Sequence, residues 1–525
     1  MRPDDELLDL VSRRRQVARD LPGWRSGPSR VLLLLQCATR LRAMEIDRGV
    51  RTDVPWESIL AQIITWHAEI PLGEGPCTEQ AALEICRAAL EAARLDNLHG
   101  TIRAGGYKVR RQGEAFRVRQ CWDPAIEAAD MFLEATSVPV DLPEITPVEL
   151  RWIKSRLGSS RELPSSDVLQ ASSQRAEVAI EAYCQALPEG HLPGTFLLDQ
   201  GLTISQAKKI LSVVMGFASL CEAAARIYKR TEVTLVNLRR ERLLETIAEL
   251  RPDIEPSHTE TLIERLTYRP GRSCRTSPLV EVGEAIILCP PLITPRVVDG
   301  IILRGAAYDP NRYGPIGQRQ GARAVKWKDW FTGVPGVVVA ERIRARRSDR
   351  TAAGDLDVVA VDVPHRRGLC LEIKWPIDAT TLSEVTKTED WVNSAALQVD
   401  RLRKELQSGT AAVQMPPGWP AFDDIDWTWA VGTPQQLCLR PSPIPNVYST
   451  SFRYLSAHGH PEGIMDVIDT ITSPDLPAEG LHFQIDTIDY EIGRWRVIQD
   501  AILLKEDGWA PRAWAGHSKL GADSR

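Results

Sequence analysis

No two cysteines in this chain form a CxxC pair; the ten stand singly, which excludes a zinc ribbon and a thioredoxin-like redox site and leaves buried, reduced thiols as the expectation. Long apolar runs are missing too. Stretches such as Val31-Leu32-Leu33-Leu34-Leu35 meet charge well before the roughly 18 residues that a bilayer span requires, so no membrane helix is expected. There is no GxxxxGK[ST] loop, hence no recognisable ATP motor, and no internal repeat or low-complexity segment. The start, Met1-Arg2-Pro3-Asp4-Asp5-Glu6, carries acids where a secretory leader has a basic and then an apolar region, which makes the cytoplasm the expected location. A net charge of −6 argues against coating nucleic acid over the whole surface, but a sum can hide a local basic face.

At 525 residues, with 43% apolar and 26% charged residues, the chain has an ordinary globular composition and is too long for one core. Its texture predicts an α+β multi-domain protein with an all-α N-terminal half and a C-terminal mixed α/β domain. Helical periodicity dominates to about residue 270, as in 57–70, 78–95, 166–187 and 205–250. Pro- and Gly-rich punctuation at 137–147 and 187–194 suggests boundaries. The expected units are helical domains over 1–145 and 146–270, a β-hairpin and linker over 271–310, a mixed α/β domain over 311–470, and an extension over 471–525 with a helix from Tyr490 to Leu504. Within 101–122 the basic residues Arg103, Lys108, Arg110, Arg111, Arg117 and Arg119 interleave with Tyr107, Phe116 and Trp122. Charge runs usually face solvent, so a solvated hairpin between helical units is the favoured reading over a nucleic-acid contact.

After Arg272, Ser277–Val282 and Glu284–Leu288 read as two strands about a turn at Gly283. A helix over Gly317–Phe331 is followed by strands at Val337–Arg346, Leu356–Val363 and Gly368–Trp375, a helix over Leu382–Leu406 and a strand at Trp427–Val431. This order implies a mixed α/β fold.

The chemistry is concentrated in Gly354-Asp355-Leu356-Asp357-Val358-Val359-Ala360-Val361-Asp362, a turn, and Gly368-Leu369-Cys370-Leu371-Glu372-Ile373-Lys374-Trp375. Strand alternation places Glu372 and Lys374 on one face, and Asp355, Asp357 and Val359 on one face. A turn over Pro364–Gly368 brings the start of the first strand beside the end of the second. Two carboxylates beside each other in an apolar sheet repel and are poorly solvated unless a cation neutralises them, and hard oxygen ligands suit Mg²⁺ or Mn²⁺.

The Asp357, Glu372-Ile373-Lys374 pattern resembles the PD-(D/E)xK nucleases, the restriction-endonuclease-like superfamily, with wording similar to archaeal Holliday-junction resolvases and type IV restriction enzymes. The likeness spans about residues 311–435. It implies a restriction-endonuclease-like fold, DNA as substrate, Asp357 and Glu372 as metal ligands, and Lys374 as the residue assisting catalysis. Asp355 is the less favoured ligand, because the apolar run begins directly after Asp357. Related nucleases often place a Gln or Lys on the following helix, which suggests Gln398; the polar edge of an amphipathic helix is the alternative there. Many relatives carry a Glu on the helix before the first strand, whereas this chain reads Gly317-Gln318-Arg319-Gln320-Gly321-Ala322-Arg323. Glu341 is a possible substitute.

Between residues 311 and 350, ten Lys/Arg stand against three acids, a local +7 that leaves −13 elsewhere. Arg342, Arg344 and Arg346 alternate along one strand as a phosphate-tracking row, with a solvated edge strand as the alternative. His458-Gly459-His460 lacks a third ligand and reads as a polar loop, and the tryptophans read as packing. The functional expectation is a metal-dependent DNA endonuclease in restriction-like phage defence or DNA repair, with the helical half available to a protein partner. The alternative is a catalytically inactive nuclease-fold protein serving as a nucleic-acid-binding or scaffold module.

Overall fold

The computed structural model describes all residues except 1, 28, 48–55, 137–143, 156–163, 187–191, 200, 229–234, 271, 273, 275, 294–301, 304–323, 377–381, 436, 438–441, 443, 506–507 and 514–525. The chain is mixed α/β. Helices α1 (Pro3–Arg19), α2 (Arg30–Asp47), α3 (Trp56–Glu69) and α4 (Glu79–Arg103) pack around a core containing Trp24, Leu34, Ile63, Trp66 and Ile85. Strands β1 (Tyr107–Gln112) and β2 (Ala115–Gln120) follow, then α5 (Pro124–Thr136), α6 (Pro147–Ser155) and α7 (Ser166–Ala186). A short β3–β4 pair (Leu197–Asp199, Leu202–Thr203) leads into α8 (Ile204–Tyr228), β5 (Val236–Arg239), α9 (Arg240–Leu250) and α10 (Pro256–Leu266).

Within α8, Ile204–Ala224 is long and apolar enough to cross a bilayer by length and composition, but most of it is buried in this protein. Ile210, Leu211, Val214 and Phe217 belong to a core shared with α7, α9 and α10.

Three expectations need correction. First, the N-terminal half is not all-α, since it contributes β1 to β5. Second, the hairpin β6 (Leu279–Val282) and β7 (Ala285–Leu288) does not open a separate unit at 271. β7 pairs with β5 through Val236↔Leu288 to Arg239↔Ala285, and Leu279, Ile286 and Leu288 complete the core of α7 to α10. Third, Tyr490–Leu504 is not helical. It lies in the hairpin β14 (Phe483–Ile492) and β15 (Trp495–Leu504), closed by a two-residue turn with Gly493 at φ 62°, where a side chain would be strained. The hairpin joins the N-terminal strands in a sheet of order β1-β2-β15-β14, with β15 parallel to β2 from Arg496↔Ala115 to Gln499↔Val118. Long-range pairing overrode the local apolar spacing.

The C-terminal strands form a six-stranded sheet. α11 (Ala324–Thr332) precedes β8 (Val337–Arg347), β9 (Ala352–Asp362), β10 (Arg367–Ile373), α12 (Leu382–Gln407), β11 (Ala411–Val413), β12 (Asp426–Thr433), β13 (Val447–Ser451), α13 (Phe452–Ala457) and α14 (Ile464–Thr472). The sheet order is β11-β8-β9-β10-β12-β13, with β8, β9 and β10 antiparallel and β10, β12 and β13 parallel. The expected elements match closely, although the expected helix start at Gly317 lies outside the described residues and β11 and β13 were not anticipated.

One face of this sheet packs Val359, Val361 and Cys370 against Val392, Ala395, Val399 and Leu402 of α12. The other packs Val358, Ala360, Leu369 and Leu371 against Trp327 and Phe331 of α11 and Ile464 and Val467 of α14. Ala129, Phe132 and Leu133 of α5 join that second core, so α5 packs together with this six-stranded sheet.

Gly368, the second residue of β10, lies under an aromatic lid: a Cβ there would lie 2.3 Å from the Trp427 ring and 2.8 Å from Ile425. Trp427 cannot yield easily, since its Nε1 donates to the Phe422 carbonyl at 2.8 Å and its ring stacks on Phe422. Gly368→Ala is therefore expected to destabilise the fold by about 1–3 kcal/mol. Equilibrium denaturation checks this, and an unchanged midpoint would show that the lid moves freely.

Candidate active site

The site lies where the sheet comes apart. β9 and β10 pair from Asp362↔Arg367 to Leu371↔Val358, and there their ladder ends. Beyond it β10 continues along β12, through Glu372↔Val431 and Ile373↔Gly432, and the Lys374 amide donates to the Gly432 carbonyl at 2.9 Å. The amide of Ile373 has lost its β9 partner. It donates instead to the Asp357 carboxylate, Oδ2 at 2.8 Å.

A change of phase on the other side of β9 sets that carboxylate. The β8–β9 register runs through Glu341↔Val358 and resumes at Ile343↔Leu356, and the skipped residue, Arg342, has φ 57°. Left-handed backbone within a strand breaks alternation. Val338, Ala340, Val359 and Val361 face α12, yet so do Ile343, Ala345 and Leu356, which have the opposite parity. Strict alternation placing Asp355, Asp357 and Val359 on one face thus fails at Asp357. Its carboxylate is directed along the sheet to β10.

Glu372 keeps the expected direction, toward α12, and is only 8% exposed. Lys374 Nζ donates to its Oε1 at 2.6 Å from a half-buried position. Asp355, Glu372 and Gln398 share a narrow cleft with Leu356, Cys370, Val399, Leu402 and Trp429. The fold therefore gathers Asp357, Glu372, Lys374 and Gln398, together with Asp355, the less favoured acid of the Gly354-Asp355-Leu356-Asp357 sequence. Its presence could have been found from the two acids alone; the role of the Ile373 amide could not.

Burial pushes the Asp357 carboxyl above its ordinary range, against the opposing pull of the Ile373 N–H and Lys374. Burial, then repulsion from Asp357, does the same to Glu372, against the pull of Lys374. Two crowded acids of this kind are the donor set that a divalent cation relieves. Among the described residues no group of three or more His, Cys, Asp or Glu side chains is placed to hold a metal. Mg²⁺, however, commonly takes one or two carboxylates and completes its shell with water and phosphate oxygens. Asp357 and Glu372 fit that pattern.

Glu341 does not. It pairs across to Val358, on the α11 side of the sheet, and its Oε1 lies 3.7 Å from Lys328 Nζ. Arg342, Arg344 and Arg346 are all exposed, between buried Ile343 and Ala345, so the row exists; the neighbouring Arg347 is instead held by both oxygens of Glu405 at 2.8 and 2.9 Å. His458 is buried, with Nδ1 2.7 Å from the Arg512 carbonyl, as a packed residue would be. Comparison with family models, with curated proteins and with solved structures finds no match.

Because both carboxyls titrate above their ordinary range in the folded chain, ionising them costs more there than in the unfolded chain. Their unfavourable contribution is absent at pH below the unfolded value and grows as pH rises toward the raised folded values. Asp357→Asn keeps an acceptor for the Ile373 amide and removes the charge. In chelator, this variant is expected to melt above wild type at pH 7 and to lose the advantage below about pH 4. Thermal melts across pH 3–8 test this, and a difference that does not vary with pH would rule out the electrostatic cause.

Proposed function

We propose that the chain is a metal-dependent DNA endonuclease of the PD-(D/E)xK type, with its nuclease domain over about residues 311–470. One observation carries the reading: Asp357 reaches across a divergence of strands to the backbone inside Glu372-Ile373-Lys374, so that a buried carboxylate, a half-buried carboxylate and an ammonium converge at one point. Asp357 and Glu372 would hold Mg²⁺ or Mn²⁺, which polarises a phosphate and lowers the pKa of an attacking water.

The chain's own groups do the rest. Lys374, now neutralising Glu372, orients the water or balances charge growing on the phosphoryl oxygens. Gln398 offers an amide to the same cleft. Arg342, Arg344 and Arg346 neutralise backbone phosphates and set the register of the duplex, without reading its sequence. The N-terminal helices recognise a substrate, a protein partner or a regulatory signal, in restriction-like phage defence or in DNA repair.

A divalent-metal titration of plasmid and linear DNA cleavage tests the assignment. Asp357→Ala, Glu372→Ala and Lys374→Ala are each expected to lower the rate by about two orders of magnitude or more. The carboxylate variants weaken metal binding as well, whereas Lys374→Ala still binds metal. Normal cutting by Asp357→Ala would disprove the metal site. Wild type that stays inert with every metal, substrate and partner would leave a nuclease-fold binding module as the reading.

On the non-cutting Lys374→Ala background, replacing Arg342, Arg344 and Arg346 by Ala is expected to flatten the salt dependence of DNA binding, with log K against log salt losing about 0.9 per phosphate contact removed. An unaltered slope would take the row off the DNA.

A further inference from the structure

We infer that the outer face of the β1–β2 hairpin is a second nucleic-acid surface, gripping the sugar-phosphate backbone at a place separate from the cleavage site. Cross-strand register supplies the first argument. Lys108 lies directly opposite Arg119, and Arg110 directly opposite Arg117. Like charges facing each other across an antiparallel pair oppose its formation. The opposite face buries Tyr107, Val109, Phe116 and Val118 in the core with Leu7, Leu95 and Leu98, which fixes the register and forces all four cations outward.

Among the described residues the sheet's own acids neutralise only one of the four. Asp500 on the adjacent β15 takes Arg117 at 2.7 Å, and Asp489 on β14 is held by Arg496. Arg111 belongs to the other face, with Glu6 at 2.8 Å and its guanidinium over the Trp495 ring. Lys108, Arg110 and Arg119 are exposed, and among the described residues no carboxylate forms an ion pair with any of them. A row of uncompensated cations on a rigid strand pair is complementary to a polyanion, whose binding releases condensed counterions. A lipid surface suits the face less well: the outward neighbours on the two strands are Gln112 and Ala115, where an interfacial element carries bulky apolar side chains.

The inference takes from the proposed function only that the ligand is DNA, and its failure is separable from failure of the nuclease. The test uses the full-length chain on the Lys374→Ala background, with and without Lys108→Ala, Arg110→Ala and Arg119→Ala, binding a random-sequence duplex across a salt series. The expected result is affinity lower by about tenfold or more at 0.1 M salt and a log–log slope shallower by about 2–3, equally for unrelated sequences. Lys108→Arg, Arg110→Lys and Arg119→Lys together should keep the parental slope, and matching melts show that the fold is intact.

Identical affinity and slope in the alanine variant would overturn the inference. So would unchanged DNA binding accompanied by lost binding to anionic phosphatidylserine vesicles, which would make the face a lipid contact. If wild type cuts nothing while the alanine variant still loses DNA affinity, the nuclease reading falls and this surface stands.

Discussion

A part-buried strand amide needs an acceptor, and at Ile373 the ladder with β9 has already ended. Leaving a fully buried donor unpaired costs about 1–3 kcal/mol and a part-buried one less, so the divergence of β9 from β10 favours an acceptor. Asp357 provides it at 2.8 Å. The acceptor is a half-buried anion, and its charge is what brings a second carboxylate beside Glu372 at this break in the sheet. Had the ladder continued, Ile373 would have bonded to a neutral carbonyl, and no carboxylate would have been drawn in beside Glu372.

The neighbouring groups follow from that placement. Burial raises the proton affinity of Asp357, burial and the nearby Asp357 raise that of Glu372, and Lys374, 2.6 Å from Glu372, moderates both. The left-handed backbone at Arg342 does two things at once: it changes the phase of β8 so that Ile343 and Ala345 still reach the α12 core, and it frees the facing position on β9 for an in-plane carboxylate. Strain at a single non-glycine residue, generally of order 1–3 kcal/mol, is retained where the surrounding packing enforces it.

Much of the C-terminal sheet was legible, because the apolar runs of β9 and β10 are bounded by turn residues and α12 has an unbroken helical period. The pairing of Asp362 with Arg367 follows from the Pro364 turn, and with it the proximity of Asp357 to Glu372. The phase change was not legible, since Arg342 is neither glycine nor asparagine and nothing local marks it. Tyr490–Leu504 failed for a different reason: its apolar residues suit a helix or a strand, and only Phe116 and Val118, far away in sequence, decide the matter. For the same reason the basic stretch at 101–122 showed its charges but not their cross-strand opposition.

The parallel pair β2–β15 joins positions roughly 380 residues apart, from Ala115↔Arg496 onward. At about 5–20 residues per second of synthesis, β1 and β2 emerge some 20–75 s before the strands that complete their sheet. In that interval β2 has an open edge, and the α5 helix that follows it has no six-stranded sheet to cover. A nascent or truncated chain therefore holds its early helical units folded around an unfinished seam. Closing that seam late joins the two halves of the molecule in time as well as in space, so that a fragment stalled short of β15 is left with an exposed edge open to chaperones and proteases.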